Sequence, residues 1–230
     1  MPARREPVSR RERPAKPALS RGAIISTAVR IMRAEGLERV TMRRLATELD
    51  TGPASLYVYL ANTAELHAAI LEELLGEVDL APARASGDWR DRIDTVLGSY
   101  GRVLRENPGL ARSALVARPS GPNYVNLLEA LLALLKEGEV PDAQAAWGVD
   151  ILLLMATAHA VEHAGKTNDV PGTGPEWNSL AAALDDASPA TAPHVAALGV
   201  PLLLSGPPHL RRTWTVRVLL DGILHTPIES

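Results

Sequence analysis

The chain has 230 residues, of which 46% are apolar and 22% charged, the balance of a globular protein with one large or two small domains. It contains no cysteine, which excludes disulfides, thiolate metal sites and cysteine nucleophiles. The net charge of -3 hides an asymmetry: residues 1–60 hold 12 Lys and Arg against 6 acids, and the remainder hold 12 against 21. A basic N-terminal segment followed by an acidic remainder indicates that only the N-terminal segment binds a polyanion.

The first 60 residues predict a basic arm followed by three short helices. Residues 1–19 are rich in Arg, Pro and Ala and bury too little apolar surface to fold alone, which predicts a flexible arm. Typical N-cap residues then divide the sequence into three helices with apolar positions at helical spacing. These N-caps are Ser20, Thr41 and Thr51, and the helices cover residues 20–36, 41–49 and 53–60.

The rest of the chain also predicts helices. Asn62 and Glu65 have the spacing of a capping box and open a fourth helix that runs to Val78. Phenylalanine is absent and aromatic residues are only 3%, so the core is built from Leu, Ala, Val and Ile, and no window alternates with period two. We therefore expect an all-α protein. Its further helices are predicted at 89–106, 108–117, 124–136, 141–166 (with an almost wholly buried middle), 176–186, 193–198 and 209–225.

The three N-terminal helices, with a tight turn between the last two, predict a helix-turn-helix. In this motif the second helix braces the third in the major groove of DNA. Small residues at the start of the third helix permit close approach, tyrosine hydroxyls suit phosphate oxygens, and arginine suits a guanine edge or a phosphate. The residues that offer these groups are Pro53, Ala54, Ser55, Tyr57, Tyr59, Arg43 and Arg44. The alternative is that the three helices form only a packing unit, and that their positive charges contact solvent rather than DNA.

Residues 19–74 resemble the DNA-binding domain of the TetR family of transcriptional repressors. The matching positions are Gly36, Val40-Thr41, Leu45-Ala46, Leu49, Leu56-Tyr57, Tyr59, Asn62 and Glu65-Leu66. The resemblance implies that Arg43 and the face Pro53, Ala54, Ser55, Tyr57, Val58 and Tyr59 meet DNA, and that Thr41 donates to a phosphate. Two departures concern phosphate contacts and the turn. Ala61 and Thr63 stand where many members carry a lysine, and Asp50 replaces a turn glycine, which predicts a left-handed backbone there.

Residues 106–138 are similar to the middle helices of the tetracycline-repressor branch, chiefly around Arg118-Pro119. This likeness implies a domain for ligand binding and dimerisation, in which helices 141–166 and 209–225 pack against their copies. The alternative is that both helices form the core of a monomer. Ala114 falls where that repressor has its metal-ligating histidine, so we do not expect magnesium-bound tetracycline as ligand. The candidate effector-binding residues are Tyr100, Asn123, Trp147, Met155 and His159.

His159, Glu162 and His163 match the H-x-x-E-H signature of a zinc hydrolase. A catalytic zinc site also needs a third ligand and an open coordination position, and no downstream carboxylate follows a known spacing. The alternative interpretation is that these polar residues lie near the end of a long helix, where histidine complements the dipole or lines a pocket. We expect no catalytic residue, metal or cofactor; a structural or effector metal at His159 and His163 is the alternative that the sequence leaves open.

Taken together, the sequence predicts a flexible arm (1–19), a DNA-binding domain (20–80, with the helix-turn-helix at 41–60) and a helical effector-binding and dimerisation domain (81–230). The expected function is that of a homodimeric repressor that a largely apolar small molecule releases from a palindromic double-stranded DNA operator. The alternatives are a metal-dependent hydrolase and a ligand-independent DNA-binding activator. The basic start lacks a signal peptide, and the longest apolar run, 151–158, is too short to span a bilayer. We therefore expect a cytoplasmic protein without a membrane partner.

Overall fold

The computed structural model describes residues 18–115, 119–163 and 174–228. Within these ranges the chain forms eleven α-helices and no strand, which confirms the predicted all-helical class. Most of the basic arm and Arg118 lie outside the described residues, as do the ends predicted for the helices at 108–117 and 141–166.

The first three helices begin where the capping residues predict. Helix α1 (Arg21–Glu35) starts after Ser20, whose Oγ accepts a hydrogen bond from the Ala23 amide at 3.2 Å. Helix α2 (Met42–Glu48) starts after Thr41, whose Oγ1 accepts from the Arg44 amide at 3.1 Å. These bonds satisfy amides that have no partner within a helix, so the local sequence sets both starts.

Helix α3 (Pro53–Leu56) is shorter than predicted. Its N-cap is Gly52, without a side-chain bond, so the prediction of Thr51 as N-cap was wrong. The amide of Thr51 instead donates to the carbonyl of Ala46 at 2.8 Å and closes the turn after α2. Beyond Leu56 the chain continues as turns, in which the amides of Tyr59 and Leu60 both donate to the Leu56 carbonyl, at 2.9 and 3.1 Å. The regular helix therefore ends four residues before the predicted Leu60.

The chain divides into two compact units, Met1–Leu66 and His67–Ser230. Helix α4 (Thr63–Leu75) is continuous through the boundary and ends before the predicted Val78. The other helices belong to the second unit: α5 (Trp89–Glu106), α6 (Pro108–Ala114), α7 (Pro122–Glu137), α8 (Asp142–Glu162), α9 (Pro175–Asp185), α10 (Pro193–Leu203) and α11 (Pro208–His225).

Helix α5 lies at the centre of the second unit. It contacts α6, α7, α8 and α11, and its buried face includes Ile93, Val96, Leu97 and Leu104. Asp88 caps it by accepting from the Arg90 amide at 2.8 Å. The packing therefore follows the apolar stripe of an amphipathic helix.

The middle of α8 is only half covered, so the prediction that it is almost wholly buried was wrong. One face, including Leu152 and Ala156, packs inward, while Trp147, Ile151 and Leu154 are exposed on the other. By length and composition alone α8 is apolar enough to cross a membrane, a test that core helices of soluble proteins also pass. Its contacts with α5, α6, α7 and α11 identify it as a core helix.

Helices α9 and α10 pack on each other and have no buried residue. Helix α10 extends to Leu203, five residues beyond the predicted end, with a kink at Gly199 (φ 61°) before Pro201. Glycine adopts this left-handed conformation without a steric penalty, and the proline that follows cannot supply the next helical N–H. The apolar surface of this pair is therefore left largely open within one chain.

Candidate nucleic-acid interface and ligand cavity

Residues 53–59, here called the recognition segment, expose one face and anchor the other. Leu56 is fully buried, and Pro53, Ala54 and Ser55 are exposed beside it. Further along, the exposed fraction is 53% for Tyr57 and 81% for Val58. Large apolar and aromatic side chains this exposed are typical of a binding surface rather than of a packed core.

The turn before the recognition segment holds α3 against α2. Asp50 has a φ of 49°, which confirms the left-handed conformation predicted where many family members have glycine. Asp tolerates this region better than most residues because its short polar side chain can bond locally. The turn lets helices α2 and α3 contact each other, as a helix-turn-helix requires.

Arg44 is held by two acidic side chains. Its Nη2 lies 2.8 Å from Glu35 Oε1, and its Nη1 lies 2.5 Å from Glu48 Oε2. Hydrogen bonds to Glu35 and Glu48 raise the pKa of Arg44, and hydrogen bonds from Arg30 and Arg44 lower the pKa of Glu48. The guanidinium therefore ties α2 to the end of α1, and its predicted contact with DNA stays a prediction.

Arg43, one residue earlier, has the opposite surroundings. It is exposed, and its guanidinium has no hydrogen bond or ion pair within the described part of the chain. Thr41 is exposed as well and uses its hydroxyl oxygen as the cap acceptor, so its hydroxyl hydrogen stays available for a phosphate. Of the two predicted arginines, Arg43 is therefore the one with its charge free for a polyanion.

Tyr59 and Tyr57 differ in the same way. The Tyr59 hydroxyl donates to the carbonyl of Leu19 at 2.8 Å, whereas Tyr57 makes no such bond among the described residues. After the recognition segment, Asn62 Oδ1 accepts from the Glu65 amide at 2.9 Å, and Glu65 accepts from the Ala61 amide at 2.7 Å. This is a capping box with the return bond shifted by one residue.

The second unit contains a cavity of about 470 Å³ between α8, α9 and α11, here called the histidine-lined cavity. Its volume is in the range that holds a small molecule. Two of the candidate effector residues, Met155 and His159, lie in its wall. The whole lining is Met155, Ala158, His159, Glu162, His163, Trp177, Leu204, Gly206, Arg211, Arg212, Trp214 and Thr215.

Charged groups surround His159 in this cavity. Burial, and to a smaller extent the charge of His163, lowers the pKa of His159, so its neutral form is favoured. Arg212 is held by Asp94 on α5, with Nη2 3.1 Å from Oδ2, and Thr213 donates to the same carboxylate at 2.9 Å. Arg105 is half-buried on α5 and has no ion partner within the described residues, and burial lowers its pKa. Arg105 is not part of the cavity lining, and the charge of Arg212 in that lining is paired with Asp94.

The other candidate effector residues lie elsewhere. Tyr100 borders a smaller cavity of about 100 Å³, where its hydroxyl is 2.7 Å from Thr157 Oγ1 and burial raises its pKa. Asn123 forms a hydrogen bond with α4, in which its Nδ2 donates to the Glu72 carbonyl oxygen at 2.9 Å. Trp147 is 65% exposed on α8.

Trp147 belongs to an exposed apolar face formed by α8 and α11. Its members are Trp147, Ile151, Leu154, Trp214 and Val218. Beside it an open groove of about 600 Å³ runs between the two helices and is lined almost only by apolar residues. Large apolar side chains exposed beside such a groove are typical of a protein–protein contact.

The sequence analysis did not single out Trp177, Arg211, Arg212 and Trp214, which the structure places in the cavity lining. One feature of the sequence could have indicated these residues: Arg211 and Arg212 lie just before Trp214, at the start of a helix that is otherwise apolar enough for the core. The cavity brings Trp177 of α9 near residues of α8 and α11 that are distant in sequence, which spacing does not reveal.

Two family models match the chain. One is described as bacterial regulatory proteins of the tetR family and matches residues 24–70, and the other as the C-terminal domain of tetracyclin repressor-like proteins and matches residues 81–204. Together they cover both units and confirm the resemblance that the sequence motifs indicate.

Solved structures and a curated relative agree with these models. A transcription regulator of Streptomyces coelicolor, SCO7704, is 55% identical, with a TM-score of 0.78 over 94% of this chain and 99% of that one. ActR of Streptomyces coelicolor in complex with actinorhodin is 31% identical, with a TM-score of 0.76 over 90% and 97% of the two chains. The transcriptional repressor DrrR1 of Streptomyces coeruleorubidus is 30% identical over 56% of this chain and 48% of that protein. The chain spans about half the length of the curated relatives it matches.

Proposed function

Because the chain belongs to the TetR family of bacterial regulatory proteins, we propose that it is a DNA-binding repressor that acts as a homodimer in the cytoplasm. The observation that carries this proposal is the recognition segment, whose Leu56 is fully buried while Tyr57 and Val58 stand exposed beside it. A rigidly anchored, outward-facing helix with small residues at its start suits the major groove. Arg43 and Thr41 supply a charge and a hydroxyl for the neighbouring phosphates.

The exposed apolar face supports the homodimer. Trp147 on α8 and Trp214 on α11 are 65% and 68% exposed, an unfavourable state that a second copy relieves by covering both. In such a homodimer each copy would contribute one recognition segment to the same duplex. Successive major grooves on one side of DNA are about 34–36 Å apart, so the operator would be a palindrome with half-sites one helical turn apart.

The histidine-lined cavity supports a small-molecule effector. Met155, Trp177 and Trp214 offer apolar and aromatic surface, and the histidines and arginines orient polar groups of the guest. The ActR structure is a complex with actinorhodin, and the similarity to it supports a small-molecule ligand for this chain. We propose a largely apolar effector with polar groups at one edge.

Helix α4 is the element that would connect ligand and DNA. Its second half bonds to the effector unit in two places: His67 Nδ1 lies 3.3 Å from Ser113 Oγ on α6, and Glu72 accepts from the Asn123 amide of α7 at 2.7 Å. Its first turn belongs to the DNA-binding unit. An effector acts only through its different affinity for the DNA-bound and released conformations, so it must bind the released one more tightly.

DNA binding is tested with the purified full chain and the DNA upstream of its own reading frame, by fluorescence anisotropy at several salt concentrations. The expected result is saturable binding that weakens steeply with salt, since Lys and Arg displace counterions from phosphate. The proposal would be contradicted if folded protein showed no binding to this fragment at low salt and selected no sequence from pooled genomic fragments. Release is tested by titrating compounds into the complex; equal affinity for free and DNA-bound protein would exclude effector control.

The chain matches relatives named as transcriptional regulators, and we propose that it has no enzymatic activity of its own. The ligand-independent activator remains the second candidate. It shares the DNA-binding unit, and the titration of compounds against the operator complex separates the two.

A further inference from the structure

We propose that His159, Glu162 and His163 bind a divalent transition-metal ion of the zinc class in the wall of the histidine-lined cavity. The two histidines stand one turn apart on α8, with their rings 4.2 Å apart between centroids. One potential ligand atom from each of the three residues lies within 4.8 Å of the others. This proposal does not depend on DNA binding or on the effector.

The distances suit a metal ion after small side-chain movements. Zinc binds imidazole nitrogen and carboxylate oxygen at about 2.0–2.2 Å, which places ligands of a tetrahedral site roughly 3.4 Å from one another. Glu162 is exposed over 65% of its side chain and is free to change rotamer, so it can close the remaining gap.

His163 is oriented for coordination. Its Nδ1 lies 2.9 Å from the carbonyl oxygen of His159 and donates to it in the Nδ1–H tautomer. That bond leaves Nε2 with its lone pair available, which is the arrangement in which a carbonyl fixes the tautomer of a metal-binding histidine. The helix backbone thus supplies the outer support of the site.

The types of ligand atom at the site favour one class of metal ion over another. Arg211 and Arg212 line the same cavity, and of these Arg212 is neutralised by Asp94. Magnesium and calcium need several oxygen ligands, and the described residues offer one carboxylate here against two imidazoles. Imidazole nitrogen instead favours zinc, copper and nickel.

The site has three protein ligands and leaves a fourth position open toward the cavity. With Glu162 used as a ligand, no general base remains within the motif, so the metal would bind an additional ligand rather than activate water for hydrolysis. An anionic or neutral donor group of a molecule in the cavity can occupy the fourth position.

The test is isothermal titration of untagged, chelator-treated full chain with zinc chloride. Wild type is expected to bind about one zinc per chain at this site, and His159→Ala and His163→Ala to bind it at least roughly 100-fold more weakly, beyond the 10–100-fold that loss of an outer-shell partner costs. The control is His225→Ala. His225 also bonds the carbonyl one turn earlier, with Nδ1 2.8 Å from the Asp221 oxygen, but has no histidine there.

Equal zinc affinity and stoichiometry in wild type, His159→Ala and His163→Ala would overturn the site, as would absence of zinc binding to folded wild type. Far-UV circular dichroism verifies that each variant is folded. Glu162→Gln, at an exposed position, keeps the test decisive if a histidine variant fails to fold: weaker zinc binding supports the three-ligand site, and unchanged binding contradicts it. A tenfold excess of magnesium should leave zinc bound; displacement would contradict the nitrogen-donor assignment.

Discussion

The hydroxyl of Tyr59 donates to the main-chain carbonyl oxygen of Leu19, 2.8 Å away and 40 residues earlier in the chain. This bond joins the end of the recognition segment to the residue before the Ser20 cap. The chain therefore enters α1 beside the surface proposed to bind DNA.

The two tyrosines of the recognition segment should separate stability from DNA affinity. Tyr59→Phe removes a partly buried hydrogen bond and is expected to lower the free energy of unfolding by about 0.5–1.5 kcal/mol. Tyr57→Phe removes an exposed hydroxyl and is expected to leave stability unchanged while weakening DNA binding about fivefold, the equivalent of roughly 1 kcal/mol. Urea unfolding and fluorescence anisotropy measure the two effects. If Tyr59→Phe weakened DNA binding and Tyr57→Phe lowered stability instead, Tyr59 and not Tyr57 would be the residue that contacts DNA.

Arg43 and Arg44 form a second matched pair. Arg43→Ala should weaken DNA binding and reduce the salt slope of the binding constant by about one, with stability unchanged. Arg44→Ala removes the ion pairs with Glu35 and Glu48 and should cause a small loss of stability that disappears at high salt. The measurements are anisotropy and thermal unfolding at two salt concentrations. A reduced salt slope for Arg44→Ala and none for Arg43→Ala would reverse the proposed roles.

Stability should fall in mild acid because of His67. Burial lowers the pKa of this side chain below its ordinary value of 6.5, so below that pH the unfolded chain binds more protons than the folded one. The free energy of unfolding is therefore expected to be constant in pH near neutrality, as far as His67 is concerned, and to decrease as pH falls through and below 6.5. Melting temperatures between pH 7.5 and 5 should show this, with a smaller decrease in His67→Gln.

Ser113→Ala is the control for that experiment. Its hydroxyl lies 3.3 Å from His67 Nδ1, but burial rather than this contact lowers the pKa. The variant should keep the pH dependence of wild type. Identical pH profiles for wild type and His67→Gln would show that His67 does not contribute.

If the exposed apolar face forms the dimer contact, a single charged side chain introduced there should weaken the dimer. Trp147→Glu places a carboxylate in the proposed contact and is expected to raise the dimer dissociation constant at least about thirtyfold, the equivalent of a loss of roughly 2 kcal/mol for a central aromatic residue. Val125→Glu is the control, since Val125 is 57% exposed on α7, outside this face. Sedimentation velocity over a range of concentrations measures both. A monomeric wild type, or an unaffected Trp147→Glu dimer, would exclude this face as the contact.

Much of the helical structure was predictable because its causes are local. Ser20 and Thr41 cap α1 and α2 through bonds to amides three residues on, and Asp50 takes the left-handed conformation that its place in the turn implies. Spacing of apolar residues likewise predicted α5 at its observed bounds, Trp89–Glu106. The family followed from the same positions, since buried anchors, caps and turns recur at fixed spacing in this DNA-binding unit.

Only the folded chain decided what each exposed or charged side chain is used for. Adjacent arginines are equivalent in sequence, yet Arg44 meets Glu35 from another helix whereas Arg43 does not. Helix α8 is rich in apolar residues, and Trp147 stays exposed because the neighbouring helices of the same chain cover only the opposite side. The cavity that gathers His163, Trp177 and Arg211 joins residues far apart in the chain. Caps and periodicity act over one or two turns of backbone, whereas ion pairs, cavities and open faces depend on which distant surfaces meet.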